Sequence, residues 1–341
     1  MKSTFTKISL STLMFAILIT SISHTNMTHA TELVLTINTE EHYNLGETIT
    51  INGTLTLDGS PVLDGLVSIQ INNPRGNNPQ ENLFFIRTIQ TGPVQGPWPV
   101  EILEAYTCDK YGNPTSSFRP GGGFGFKVTV KNNGAIEQPV IVAATLCYPN
   151  GIPFSVLIMI NQPLDPGMIV SRRRWLEAFI PGNAPLGTAH AYTVAVDNWT
   201  QYEGLALCPE SPVAFDIALS AMANINQETG LPALTTPGSF NISFMISDHG
   251  GILGNYTIYA TSWYNFIYLT SAQKTFEALL IADVVEDGIV DMADISAVVD
   301  AFLAEPGDPR WNPRADLLPD NIIDMADVSI VVDNFLKEGQ Y

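Results

Sequence analysis

From residue 32 to residue 281 the chain alternates short apolar runs, rich in Val, Ile, Thr and Tyr, with breaks of Gly, Pro, Asn and Asp. Period-two alternation between such breaks predicts β-strands packed as sandwiches, rather than a barrel or an α/β fold. Strands are expected over 32–38, 47–57, 66–72 and 83–90, with Asp58-Gly59-Ser60-Pro61 as the turn between the second and third. Seven more follow over 100–107, 124–131, 138–147, 154–161, 169–180, 188–197 and 212–218, and three close the series over 239–246, 255–263 and 271–280. Four strands cannot close a seven-stranded sandwich, but four plus three can. The expectation is one sandwich built from 31–97 and 238–281, a second inserted at 98–217, and a return linker over 218–237. The alternative is a serial chain with two incomplete sandwiches and exposed edges.

After residue 281 the period changes. Ile295, Val298, Val299 and Phe302, and again Val328, Val331, Val332 and Phe335, fall at i, i+3, i+4 and i+7, which predicts two short amphipathic helices. Each follows an acidic stretch of twelve, and the copies lie 33 residues apart. The first copy places Asp283, Asp287, Asp291 and Asp294 at positions 1, 5, 9 and 12, and the second places Asp316, Asp320, Asp324 and Asp327 there. Position 6 is Gly288 or Asn321, residues that tolerate left-handed backbone. Carboxylates at these positions, with the position-7 carbonyls of Ile289 and Ile322, suit a hard cation such as calcium. The 282–337 stretch resembles a type I dockerin, a calcium-loop module that plugs secreted proteins into cohesin partners. The resemblance implies two calcium ions and a partner surface at loop positions 10 and 11, here Met292-Ala293 and Met325-Ala326, so either copy serves in a 180°-related pose. Position 3, normally Asn or Asp in that family, is Val285 in one copy and Leu318 in the other. Affinity for calcium is therefore expected to fall, with a metal-free helix pair as the alternative. Pro306-Gly307-Asp308-Pro309 begins the connector between the copies, and Trp311 is expected to pack on the helices.

The body carries weaker resemblances. Tyr43-Asn-Leu-Gly46-Glu-Thr-Ile-Thr-Ile-Asn-Gly53 is similar to the opening of macroglobulin-like and bacterial Ig-like domains. Phe126-Lys-Val-Thr-Val-Lys-Asn-Asn133 resembles the CARDB family, an adhesion-type Ig-like module. At the other end, Lys2 and Lys7 precede the apolar run Ile8–Ile22, and Thr28-His29-Ala30 ends on a small residue. This reads as a signal peptide over 1–30, cleaved after Ala30, with an extracellular or cell-surface destination and no membrane insertion afterwards.

Charge narrows the partners. The formal net charge is −19, and from Asp283 onward 14 acidic residues stand against 3 basic ones. Nucleic acid is disfavoured, because phosphate contacts need clustered Lys and Arg. The basic run Arg172-Arg173-Arg174 is expected on a strand edge, where charge discourages edge pairing.

No catalytic constellation is found in the sequence. His42, His190 and His249 are far apart and lack zinc-site spacing, and no Gly-x-Ser-x-Gly, phosphate loop or Cys-x-x-Cys occurs. Trp98, Trp175, Trp199, Trp263 and Tyr264 could offer a carbohydrate-stacking face, with core packing as the default. First and last strands of an Ig-like sandwich can lie close, so Cys108–Cys208 is the expected disulfide, leaving Cys147 as a buried thiol. Sequons stand at Asn52, Asn198, Asn241 and Asn255. The sequence-level expectation is a mainly β, secreted, non-enzymatic assembly protein that docks to a cohesin-like partner in a calcium-dependent manner. Alternatives are a surface-layer or adhesin component whose body binds neighbouring proteins or glycans, and an accessory of a polysaccharide-degrading assembly.

Overall fold

The computed structural model describes residues 31–76, 82–92, 96–219, 237–265 and 267–340. The expected leader over 1–30 and most of the expected return linker lie outside the described residues.

The protein is mainly β, built from sandwich-like sheets. The strands are β1 Leu33–Asn38, β2 His42–Asn44, β3 Thr48–Leu57, β4 Ser60–Pro61, β5 Leu66–Asn72, β6 Leu83–Gln90, β7 Val100–Cys108, β8 Ser117–Phe118, β9 Phe124–Asn132 and β10 Gln138–Cys147. Then come β11 Pro153–Leu164, β12 Ile169–Leu176, β13 Gly187–Val196, β14 Ser211–Ile217, β15 Ser239–Met245, β16 His249–Ile252, β17 Gly254–Tyr264 and β18 Tyr268–Leu279. Helices α1 Met292–Asp300 and α2 Met325–Asp333 follow, and β19 Glu338–Gln340 comes last.

The chain leaves its first pair of sheets after β6 and re-enters them at β15. One sheet runs β1-β3-β15, with β4 hairpinned onto β3, and its partner runs β2-β18-β17-β5-β6. Their inward rows meet in one core that includes Ile49, Ile51, Val67, Ile69, Phe244 and Tyr256. The segment between makes its own two layers, β12-β9-β7 and β11-β10-β13-β14-β8, around Phe124, Phe126, Val142, Leu146, Leu157 and Phe215.

A third contact layer joins the two sandwiches. β5 is buried along its whole length, although its sequence alternates apolar and polar side chains. Val67, Ile69 and Ile71 face the first core, while Ser68, Gln70 and Asn72 are buried and satisfied by the inserted segment. Ser68 shares a hydroxyl hydrogen bond of 2.8 Å with Thr200, and Gln70 and Asn72 both donate to the Gln201 amide oxygen. Nearby, Thr145 Oγ1 accepts the Ile86 N–H (3.0 Å) and donates to the Ile86 carbonyl (2.7 Å). Trp263 Nε1 donates to the Ala206 carbonyl at 2.7 Å.

At the centre of this layer Arg87 of β6 forms a two-pronged ion pair with Glu210: Nε to Oε2 is 2.6 Å and Nη2 to Oε1 is 2.5 Å. Its guanidinium also lies 3.4 Å from the Tyr192 ring centroid. Burial alone would lower the Arg87 pKa, but the Glu210 carboxylate outweighs it and the pKa is raised. His190, stacked beside Tyr192, is pushed below its ordinary value by burial, with Arg87 adding to the effect. A His with a depressed folded pKa contributes stability that is complete above about pH 6.5 and declines as pH falls through the folded value. Chemical denaturation from pH 7.5 to 5 should show that decline, and His190→Gln should flatten it.

Candidate docking module and its acidic loops

The 33-residue sequence repeat is a structural repeat, with the same side-chain hydrogen bonds in both loops and at both helix starts. In the first loop Asp283 accepts the N–H groups of Asp287 (3.1 Å) and Gly288 (2.8 Å), and Asp287 accepts that of Ile289 (3.0 Å). In the second, Asp316 accepts those of Asp320 (3.3 Å) and Asn321 (3.2 Å), and Asp320 accepts that of Ile322 (3.1 Å). Gly288 and Asn321 take the left-handed backbone, at φ +87° and +68°. The twelfth residues close the loops. Asp294 accepts from Val285 (3.1 Å) and Asp291 (2.8 Å), and Asp327 accepts from Leu318 (2.9 Å) and Asp324 (2.8 Å). Asp291 and Asp324 cap their helices in return through Ala293 N–H and Ala326 N–H, which makes a capping box in each copy.

The copies also brace each other. Val290 exchanges backbone hydrogen bonds with the residues just past α2: its N–H reaches Lys337 (2.9 Å), and Leu336 N–H reaches its carbonyl (2.8 Å). Ile323 does the same just past α1, with Ala304 (3.2 Å) and Leu303 (2.7 Å). The buried spine comprises Val290, Val298, Ala301, Ala304, Ala315, Ile323 and Val331, and the partly buried Trp311 packs against it. The apolar stripe is narrower than the helical period predicts. Val298 and Val331 are fully buried, but Val299 and Val332 are more than half exposed. Helices of nine residues offer room for one deeply buried contact each.

Beyond α2 the chain forms a strand that the apolar pattern does not predict. This strand, β19, runs parallel to β16 of the body, where Glu338 N–H donates to Asp248 (3.1 Å) and Leu253 N–H to Gln340 (2.7 Å), while Gly339 N–H donates to Gly288 of the first loop (2.9 Å). The spacing held a signal, since Leu336-Lys337 stands 33 residues after Leu303-Ala304. The Arg87–Glu210 pair had no such signal, because its partners lie 123 residues apart.

Val285 and Leu318, at position 3, contribute a backbone N–H and leave their side chains 43% and 48% exposed. Among the described residues no three Asp, Glu, His or Cys side chains stand close enough to share one metal ion. The donor chemistry still suits a hard cation. Each oxygen of Asp294 and Asp327 accepts one amide and keeps a second lone pair. Both carboxylates are buried, at 0% and 1% exposure, and neither has an ion pair among the described residues. A buried carboxylate without counter-charge is costly, and that cost favours a cation. Asp283 and Asp316, which open the two loops, line one cleft of about 570 Å³ with Leu253 and Leu280 of the body, Glu286 and Arg314.

The expected Cys108–Cys208 disulfide is not formed, and all three cysteines are free and buried. Cys208 sits at the Ile102 backbone N–H, while Cys108 ends the same strand six residues on, roughly 15–20 Å away. A disulfide needs Cα atoms within about 7 Å. Burial pushes the thiols of Cys147 and Cys208 up to about 12, so both stay protonated and inert.

The aromatics expected as a possible stacking face are mostly interior. Trp199 and Trp263 are buried between the sandwiches, and Trp98 meets Trp263 edge-on at 6.0 Å. Tyr264 is half-buried against the first core, and Trp175 lies on Gly123, where a Cβ would come within 2.3 Å of it. His42 reaches Glu277 at 3.2 Å on the surface, far from His190 in sequence and in the sheets. All four sequon asparagines are exposed, and Asn52 and Asn241 are direct cross-strand partners. Among the described residues no helix is long and apolar enough to cross a membrane.

No protein-family model matches the chain, and no curated protein matches it. Among solved structures it is similar to the alkylpurine DNA glycosylase AlkC of Pseudomonas fluorescens, at 13% identity and a TM-score of 0.28, over 36% of this chain and 31% of that one. It is also similar to the C-terminal domain of wzt (10% identity, TM-score 0.29, 42% of this chain and 86% of that one). A third likeness is to a β-glucosidase of Listeria innocua (9% identity, TM-score 0.24, 42% and 18%). The chain spans under a third of the glycosylase and under a fifth of the β-glucosidase. At these scores the likenesses carry no argument about activity or partner.

Proposed function

We propose that this chain is an exported, non-catalytic assembly protein: two Ig-like sandwiches, the CARDB-like one threaded into the other, carrying a dockerin-like module that docks onto a cohesin-like domain. The observation that carries this reading is the equivalence of the two copies at the proposed partner surface. Met292 and Met325 open helices held by matching capping boxes and are 61% and 62% exposed. Exposed methionine at two superposable positions suits an adaptable apolar contact.

The test is calorimetric titration of the full chain with cohesin-like domains from the same organism. Met292→Asp or Met325→Asp alone should weaken binding about twofold, a statistical loss of one of two poses. The double variant should weaken it by roughly 30-fold or more, the scale of one lost hot spot. Binding by the double variant at full strength would end the docking reading.

Calcium belongs to the same proposal. Asp283, Asp287, Asp291 and Asp294, with the Ile289 carbonyl, would hold one ion, and Asp316, Asp320, Asp324 and Asp327, with the Ile322 carbonyl, the other, once the cation has drawn together side chains that stand apart without it. A bound cation would supply the counter-charge that Asp294 and Asp327 lack. With no donor from Val285 or Leu318, affinity should be of the order of 0.1–1 mM. Thermal unfolding should therefore be unmoved by micromolar calcium and should gain about 1.4 kcal/mol per site at ten times Kd. Equal midpoints in chelator and in 10 mM calcium would remove calcium from the reading. A surface-layer role is the second reading, favoured by the charge distribution on the inserted sandwich.

A further inference from the structure

Six of the chain's fifteen basic residues gather on or beside one three-stranded sheet, β12-β9-β7: Lys110, Lys127, Lys131, Arg172, Arg173 and Arg174. Register places Arg173 beside Lys127 and Tyr106 on the outer face. Arg172 and Arg174 pair opposite the buried Val128 and Phe126, yet both are exposed, because β12 is the edge strand and its rim is open. Arg172 touches the Gln162 amide oxygen and Arg173 touches the Lys110 carbonyl; none of the three arginines has an ion pair among the described residues. The acidic residues on or beside this sheet are Glu101, Glu104 and Asp109, with Asp165 and Glu177 flanking the two ends of β12; Glu104 is held by Lys127 at 3.3 Å.

The complement of this face lies on the same chain. From Asp283 onward acids outnumber bases fourteen to three. Asp300 and Asp333 are exposed at the last positions of α1 and α2, with no basic side chain in either final turn. There the carboxylate faces the negative end of the helix dipole. One cation already stands just beyond each helix, with Arg310 donating to the Phe302 carbonyl (3.1 Å) and Lys337 to the Asn334 amide oxygen (2.9 Å), and a cationic surface would add to them. Guanidinium forks suit carboxylates in two-pronged pairs. At physiological salt the screening length is about 8 Å, so these local patches, not the net charge of −19, govern an encounter.

We propose that the basic β12-β9-β7 face of one copy binds the acidic C-terminal module of a second copy of this chain, head to tail. Such a contact is heterologous and generates a ring where its rotation closes and an open chain where it does not. The fold supports propagation, because face and module are tied to one body by the Arg87–Glu210 layer at one junction and by β16-β19 at the other. This inference does not depend on cohesin docking, since neither Met–Ala pair takes part.

Sedimentation velocity of the full chain tests it. The unaltered protein should grow in size with concentration at low salt and revert to monomer at high salt. A face variant (Arg172→Glu, Arg173→Glu, Arg174→Glu) and a module variant (Asp300→Lys, Asp333→Lys) should each stay monomeric, with the dissociation constant raised roughly a hundredfold. Mixed together they should assemble, because each then offers the surface the other lacks. All substitutions are at exposed positions, and unchanged unfolding midpoints would show that both variants fold. A monomeric unaltered protein, or variants that assemble as it does, would overturn the proposal. So would a monomer that is retained on immobilised polygalacturonate through the three arginines, which would make the face a reader of acidic glycans instead.

Discussion

Replacing Arg87 with Ala should cost about 3–5 kcal/mol, because it leaves the Glu210 carboxylate buried without its cation. Glu210 has a side chain only 5% exposed and accepts the Thr88 N–H (3.2 Å) besides its two bonds from Arg87. Removing the guanidinium also strips the Tyr192 face and opens space beside Cys147. The loss should appear as an unfolding midpoint lowered by roughly 10 °C for a chain of this size. Replacing both partners by apolar residues of similar volume, Arg87→Met with Glu210→Leu, should recover much of it, since a buried pair gains little net energy over good packing. The contrast separates a buried charge from a lost contact. A single variant within about 1 kcal/mol of the parent would mean that water reaches Glu210, contrary to its burial.

That pair also marks the limit of what the sequence made legible. Strands such as β10 and β17 announce themselves by local alternation, and the expected runs at 138–147 and 255–263 fall on them. β5 shows where such reading stops. Leu-Val-Ser-Ile-Gln-Ile-Asn has the pattern of a strand with one wet face, yet both faces are covered. What dries Ser68 and Gln70 is a turn more than 130 residues away, at Thr200 and Gln201, and no local period encodes it. The disulfide expectation failed for the same reason, since strand order alone does not say which end of β7 Cys208 meets. In the C-terminal module the opposite holds for the loops and caps. Their bonds join residues within about nine positions of one another, and a 33-residue offset then duplicates them, so loop positions, caps and helix starts could be read directly, whereas the bonds that brace one copy against the other could not. The fate of the position-3 residues was less visible, because it is their backbone N–H, not their side chains, that the twelfth carboxylates use.

Asp294 should accordingly be the residue on which the first loop depends. Asp294→Ala removes the acceptor for the Val285 and Asp291 N–H groups and half of the capping box. Each part-buried amide left without a partner costs roughly 1–3 kcal/mol, about 2–6 kcal/mol for the two, one of which is the lost half of the capping box. The consequence should be local. Hydrogen exchange at Val285 and Asp291 should accelerate by at least about a hundredfold, the equivalent of 2.7 kcal/mol, while amides of β10 and β17 keep their protection. Asp294→Asn keeps one carbonyl acceptor and should fall between the two. Because α1 starts from this loop, Asp294→Ala should disable the Met292 pose and spare that of Met325, and adding Asp327→Ala should abolish docking. Unchanged exchange at Val285 and Asp291 would show that the loop is held by its backbone turn alone. The proposed docking would then lose the ordered pair of loops it rests on.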